Sequence, residues 1–126
     1  MKIAIDFDGT IVEDNYPLIG KPKMFVFETL RELQKKHELI LWTCRQGRYL
    51  KEAVDFCEKN NVHFYAVNKN FPEEEYEEGY FMRKIDADMF IDDRNFGGFA
   101  GWSEIYQSIN GEKPKGEKKK KWFWQK

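Results

Sequence analysis

The amino-acid sequence predicts an α/β fold in which the strands of a parallel sheet alternate with helices. Three observations predict it. Four short apolar runs (Ile3-Ala4-Ile5, Leu39-Ile40-Leu41-Trp42, Phe64-Tyr65-Ala66-Val67 and Met89-Phe90-Ile91) have the length and continuity of buried strands. The segments around them place apolar residues at helical spacing. Three of the runs end in acids or a hydroxyl, as suits the carboxyl edge of an open sheet where ligands bind.

In chain order, the first strand stops at Asp6 and Asp8, two carboxylates two positions apart, followed by Gly9 and Thr10. Gly9 lets the backbone turn sharply. A strand's period of two points both acids to one side if the extended conformation lasts that far. The plainer reading is a strand followed by an Asx-type turn. Residues 11–20 hold two short β-prone pieces around a polar turn, which predicts a hairpin over the first strand's end. A helix is expected over residues 23–36, with Val26, Phe27, Leu30 and Leu33 on one face, Pro22 in its first turn and Lys35-Lys36 in its last. The second strand ends at Thr43-Cys44-Arg45. Gly47 opens a second helix, with Leu50, Ala53, Val54 and Cys57 at i, i+3, i+4, i+7 and a stop at Asn60-Asn61. After the third strand, residues 72–83 are acidic and irregular, which predicts an exposed helical turn and loop. The fourth strand ends in Asp92-Asp93. Gly97-Gly98 loosens the chain before a last helix with Trp102, Ile105 and Ile109 in register and Gly111 as its C-cap.

Composition bounds the function classes. At 126 residues the chain fits one domain. Apolar residues at 41% and aromatic residues at 17% exclude disorder for the body, and 34% charged residues demand a well-solvated surface. No stretch approaches the roughly 18 apolar residues of a membrane helix. The first apolar run is broken by Asp6 and Asp8 and does not follow a signal-peptide plan. Cys44 and Cys57 form neither a metal-ligand pattern nor a disulfide framework, so a reduced, cytoplasmic setting is the expectation. The net charge of −1 conceals an asymmetry: residues 112–126 hold seven Lys and two Glu, against 14 basic and 20 acidic residues before them. Pro114 and Gly116 mark this tail as a linker or flexible end. Its Lys118 to Lys121 run followed by Trp122-Phe123-Trp124 could bind nucleic acid or an anionic membrane, or fold back over an apolar patch.

The chemistry lies in the strand ends. If the strands are parallel, Asp6, Asp8, Thr43, Asp92 and Asp93 gather along one rim, with Lys84 just before the last strand. Acids held close repel, so either one keeps its proton or a cation sits between them. Oxygen-only ligands point to magnesium. A carboxylate nucleophile, a hydroxyl, an ammonium and a hard cation around a small space suit phosphoryl transfer.

These residues resemble the motifs of the haloacid dehalogenase (HAD) superfamily in its phosphatase branch. Asp6-Phe7-Asp8-Gly9-Thr10 matches the first motif in full, Thr43 the second, Lys84 the third and Ile91-Asp92-Asp93 the fourth, in the family's order. The resemblance implies a three-layer Rossmann-like (HAD-like) parallel sheet with helices on both faces. It divides the chain into a catalytic domain over 1–111 and the tail over 112–126. Residues 11–41 and 44–83 leave no room for a separate cap domain. The implied activity is hydrolysis of a phosphate monoester. Asp6 would become an aspartyl phosphate, and Asp8 would serve as general acid and base. Thr43 and Lys84 would bind the phosphoryl oxygens. Mg²⁺ would be held by Asp6, the backbone carbonyl of Asp8, and Asp92, with Asp93 near or through water.

Several positions admit a second reading. Lys69 also follows a strand and competes with Lys84. Arg45 is either a phosphate-binding clamp on substrate or leaving group, or a surface salt bridge. Thr43 could be an ordinary strand-end hydroxyl. Cys44 reads as a small packing residue, His37 and His63 as structural, and the glutamates at 73–78 as a solvated face. The uncapped rim suits a phosphorylated partner, either a small metabolite or an exposed phosphate of a phosphoprotein or nucleic-acid end, unless a neighbouring subunit of a homo-oligomer closes it. The acidic body disfavours nucleic acid, which the tail partly restores. Two other classes compete: a receiver-like phospho-signalling domain, whose acids would come in another order, and a nucleic-acid or membrane module built on the tail. No phosphate loop of the kinase type is present.

Overall fold

A computed structural model describes residues 1–75 and 85–111. The elements are β1 (Lys2–Ile5), α1 (Val26–Leu33), β2 (Glu38–Leu41), α2 (Gly47–Lys59), β3 (Ala66–Val67), β4 (Met89–Ile91) and α3 (Trp102–Asn110). All four strands are parallel, in the order β3-β2-β1-β4. The α/β parallel sheet read from the sequence is therefore the observed architecture, and each expected strand and helix is present.

Alternation along the strands divides the core. Ile3, Ile5, Leu39, Leu41 and Ile91 face a large apolar cluster to which α1, α2 and α3 contribute Val26, Leu30, Leu33, Ala53, Cys57 and Trp102. Ala4, Ile40 and Ala66 face the opposite side, where buried Ile85 packs on them beside Trp42, Tyr65 and Phe90. The three described helices thus share one face of the sheet. The second helical layer that the HAD resemblance implies is not seen among the described residues, where the other face is covered by Ile85 and Ala87 of the β3–β4 connection. The expected exposed segment at 72–83 and the tail 112–126 lie largely or wholly outside the described residues, as does Lys84.

Two boundaries differ from expectation for a shared reason. The hairpin pairs Val12 with Pro22, and the amides of Glu13 and Lys23 donate to Lys21 O at 2.7 Å and Ile11 O at 2.9 Å. Its second arm is therefore residues 21–23 and not the 18–20 stretch. That pairing removes Pro22 and Lys23 from the helix, and α1 starts only after Phe25, whose φ of 65° is left-handed. Long-range pairing has overridden local helix signals. At the other end of the chain, Gly111 adopts φ 70° at the C-cap of α3, as expected.

Candidate functional site

Sheet order decides where the site lies. The chain lays β1, β2 and β3 outward in one direction and then returns to the far side of β1 for β4. The reversal between β1 and β4 makes a topological switch point at the carboxyl ends of those two strands, the general ligand position in open α/β sheets. Asp6 follows β1 there, and Asp92 and Asp93 follow β4. The registers Ile5 to Ile91 and the bond from Asp6 N–H to Ile91 O at 3.0 Å carry the pairing one residue beyond the strands. Asp6 is thereby set beside Asp92.

Carboxylate oxygens of Asp6, Asp92 and Asp93 lie within 4.8 Å of one another, and all three residues are half-buried. The Asp6 carboxyl is pushed up from 3.8 to about 7. Loss of solvent is the main cause and the Asp92 charge the next; the charge of Asp93 and a hydrogen bond with it add to the rise, while the Phe7 amide opposes it. Without a cation, this cluster holds a proton more tightly than an isolated aspartate would. An all-oxygen donor set with this much unrelieved negative charge fits a hard divalent cation such as Mg²⁺.

The neighbours of the cluster are fixed by the turn after Asp6. Phe7 O accepts from the amides of Thr10 and Ile11 at 3.1 and 2.9 Å, and the Gly9 amide donates to Val12 O at 2.8 Å. Gly9 sits at φ 87°, and a side chain there would run into the Asp93 carboxylate. Only glycine meets both demands. Thr10 is fully buried; its hydroxyl donates to Asp93 Oδ1 at 3.2 Å and accepts from the Asp93 amide at 2.9 Å. Its carbonyl in turn accepts from Trp102 Nε1 at 2.8 Å. From sequence alone Thr10 is the last residue of the first motif and Trp102 an apolar position of the last helix, with no site role for either, although the place of Thr10 directly after Asp6, Asp8 and Gly9 is a usable signal.

The Asp8 carboxylate is not part of this three-acid cluster. β1 ends at Ile5 and its pairing at Asp6, and the Asp8 carboxylate accepts from Arg45, which donates from Nε and Nη2 at 2.8 Å each. The Asp8 side chain is thus outside the three-acid cluster; the resemblance assigned the metal its backbone carbonyl. Arg45 also departs from both readings made of it. It is 1% exposed, so it is no surface ion pair, and its guanidinium is spent on Asp8 and on backbone carbonyls and is not presented to the rim as a phosphate-binding clamp.

Thr43 lies two residues past β2, next to β1 in the sheet. Its amide donates to Asn68 Oδ1 at 2.8 Å, and its hydroxyl oxygen accepts from the Arg45 amide at 3.2 Å, which leaves the hydroxyl proton to donate elsewhere. Asn68, at φ 54°, is a further residue that sequence reasoning missed; asparagine tolerates that left-handed conformation better than most residues. Lys69 is half-buried just beyond it. Cys44, expected to pack, is exposed because it lies past the strand, whereas Cys57 is buried in α2. Among the described residues no helix is long and apolar enough to cross a membrane.

No family model matches this chain, and no curated protein does. Among solved structures it is similar to that of a conserved protein coded by a locus of Bacteroides thetaiotaomicron, with a TM-score of 0.80 and 51% sequence identity over 90% of this chain and 93% of that one. With half of its residues shared over nearly the whole of both chains, this protein belongs to the family of that conserved Bacteroides thetaiotaomicron protein.

Proposed function

We propose that this chain is a Mg²⁺-dependent phosphatase of the HAD type that hydrolyses a phosphate monoester through an aspartyl phosphate on Asp6. The observation that carries the reading is the clustering of Asp6, Asp92 and Asp93 at the switch point between β1 and β4. A nucleophile at this position sits where a ligand enters, and its neighbouring acids would hold Mg²⁺ together with it. When bound, the cation would offset the repulsion between an anionic nucleophile and an anionic ester and would favour the ionised form of Asp6.

The steps fall to the chain's own residues. An Asp6 carboxylate oxygen attacks phosphorus in line, the P–O bond to the alcohol breaks, and the departing oxygen takes a proton from Asp8. For this step Asp8 enters protonated on one oxygen, that oxygen having given up its bond from Arg45 while the other keeps its own. Asp8, now a carboxylate, then removes a proton from a water that attacks the same phosphorus. The acyl phosphate opens to inorganic phosphate and free Asp6. The free hydroxyl proton of Thr43 suits donation to a phosphoryl oxygen, and Lys84, outside the described residues, would neutralise another. The half-buried site lowers the effective dielectric in which these charges act.

The test is release of inorganic phosphate from sugar phosphates, nucleotides and phosphopeptides, with and without Mg²⁺. Hydrolysis that requires Mg²⁺ and falls about 10³-fold or more in Asp6→Asn, with an unchanged far-ultraviolet spectrum, is the expected result. Wild-type rates in the variant would end the assignment.

A further inference from the structure

Arg45 is among the largest side chains that are fully buried. A guanidinium has five N–H groups, and here five hydrogen bonds are made. Nε donates to Asp8 Oδ2 at 2.8 Å and Nη2 to Asp8 Oδ1 at 2.8 Å, a side-on bidentate pair. Nη2 also donates to Leu18 O at 2.9 Å, and Nη1 to Pro17 O at 3.2 Å and Tyr49 O at 3.3 Å. The guanidinium carbon lies 5.0 Å from the Phe7 ring centroid and 5.1 Å from that of Tyr16, and the Tyr16 ring meets Tyr49 edge-on. One buried cation therefore joins the acid of the first motif, the loop between the hairpin arms and the first turn of α2.

The loop it holds is the outward part of this arrangement. Tyr16 is 55% exposed and Leu18 66% exposed, although their immediate backbone is pinned from below. In the phosphatase reading the leaving oxygen meets Asp8, so the organic part of the ester lies against whatever surrounds Asp8. The loop is tied to Asp8 through the shared Arg45 guanidinium.

We propose that Arg45 is a positioning residue that fastens Asp8 to the Tyr16, Pro17 and Leu18 loop, so that the acid–base group and the surface bordering the leaving group are held as one body. The kinetic part of this inference rests on the phosphatase reading; the mechanical part does not. Lysine cannot replace arginine here, because an ammonium is a point donor and cannot make a parallel pair to a carboxylate while also reaching three carbonyls.

The experiment compares full-length wild type, Arg45→Lys and Asp8→Ala, each first shown to unfold cooperatively. Backbone ¹⁵N order parameters of residues 15, 16 and 18–20 are expected at about 0.8 in wild type and below about 0.6 in both variants, with α1, α2 and α3 unchanged. A loop that stays as ordered in Arg45→Lys as in wild type overturns the proposal, and so does loosening in Arg45→Lys alone. The second readout is leaving-group dependence in the presence of Mg²⁺. Arg45→Lys is expected to slow an alkyl phosphate at least about tenfold more than a nitrophenyl phosphate, since only the poor leaving group needs the proton from Asp8. Equal slowing of both substrates would mean a structural role alone and overturn the positioning role. If wild type releases phosphate from no ester, the phosphatase reading fails, while the order parameters still decide whether Arg45 couples Asp8 to the loop.

Discussion

Asp6 is half-buried and has two acidic neighbours, Asp92 and Asp93. Its carboxyl holds a proton more tightly in the fold than in the unfolded chain. The native state therefore binds more protons between pH 3.8 and about 7, and stability from this group falls as pH rises through that window and levels off above it. Metal-free wild type should lose stability relative to Asp6→Asn as pH rises from about 4 to 7, measured by urea unfolding at each pH. A difference that does not change with pH would contradict the raised value. Gly9 makes a sharper residue-scale prediction. At φ 87° a Cβ would come within 2.7 Å of Asp93 Cγ, so Gly9→Ala must displace either the turn or the Asp93 carboxylate. The expected cost is about 1–3 kcal/mol in chemical unfolding, with weaker Mg²⁺ uptake by calorimetry. Unchanged stability would show that the turn yields freely.

At the scale of elements, the candidate site depends on α3 as much as on the strands. Trp102 opens that helix, is 1% exposed, and donates to Thr10 O, while Thr10 grips Asp93 through both its hydroxyl and the Asp93 amide. Trp102→Phe keeps an aromatic ring but leaves the buried Thr10 carbonyl unpaired. A loss of about 1–3 kcal/mol is expected in denaturant unfolding, together with lower affinity for Mg²⁺. Stability equal to wild type would mean that a water or another donor replaces the indole. The hairpin shows the same dependence of local structure on distant partners. Its second arm at 21–23 was not readable from a stretch that also suits the first turn of a helix, because the choice lies in pairing with Ile11 and Glu13.

At the scale of the whole molecule, parallel strand order brings together acids more than eighty residues apart. Their mutual repulsion is a standing cost of the metal-free fold, so a cation that binds only the native state should stabilise it. Mg²⁺ at a hundred times its Kd would add about 2.7 kcal/mol, read as a rise in thermal midpoint that Asp92→Asn reduces. A midpoint indifferent to millimolar Mg²⁺ would count against the cation site. Between β1 and β2, residues 11–41 are taken up by the hairpin, α1 and β2.

Much of this was legible in the chain itself. Strand continuity, helical spacing and the C-cap glycine depend on neighbours a few residues away, so Ile3-Ala4-Ile5, the α2 stripe of Leu50, Ala53, Val54 and Cys57, and Gly111 declared their elements locally. The acids at the ends of the first and last strands were equally visible as residue types in order. Tertiary structure decided what those side chains face. It sent Asp6 to Asp92 and Asp93 but Asp8 to Arg45, buried an arginine that sequence left between a clamp and a surface pair, and put all three described helices on one face of the sheet. Those outcomes turn on where the backbone leaves the strand and on which distant carbonyls and carboxylates can satisfy a buried charge, and these are fixed only once the sheet has closed.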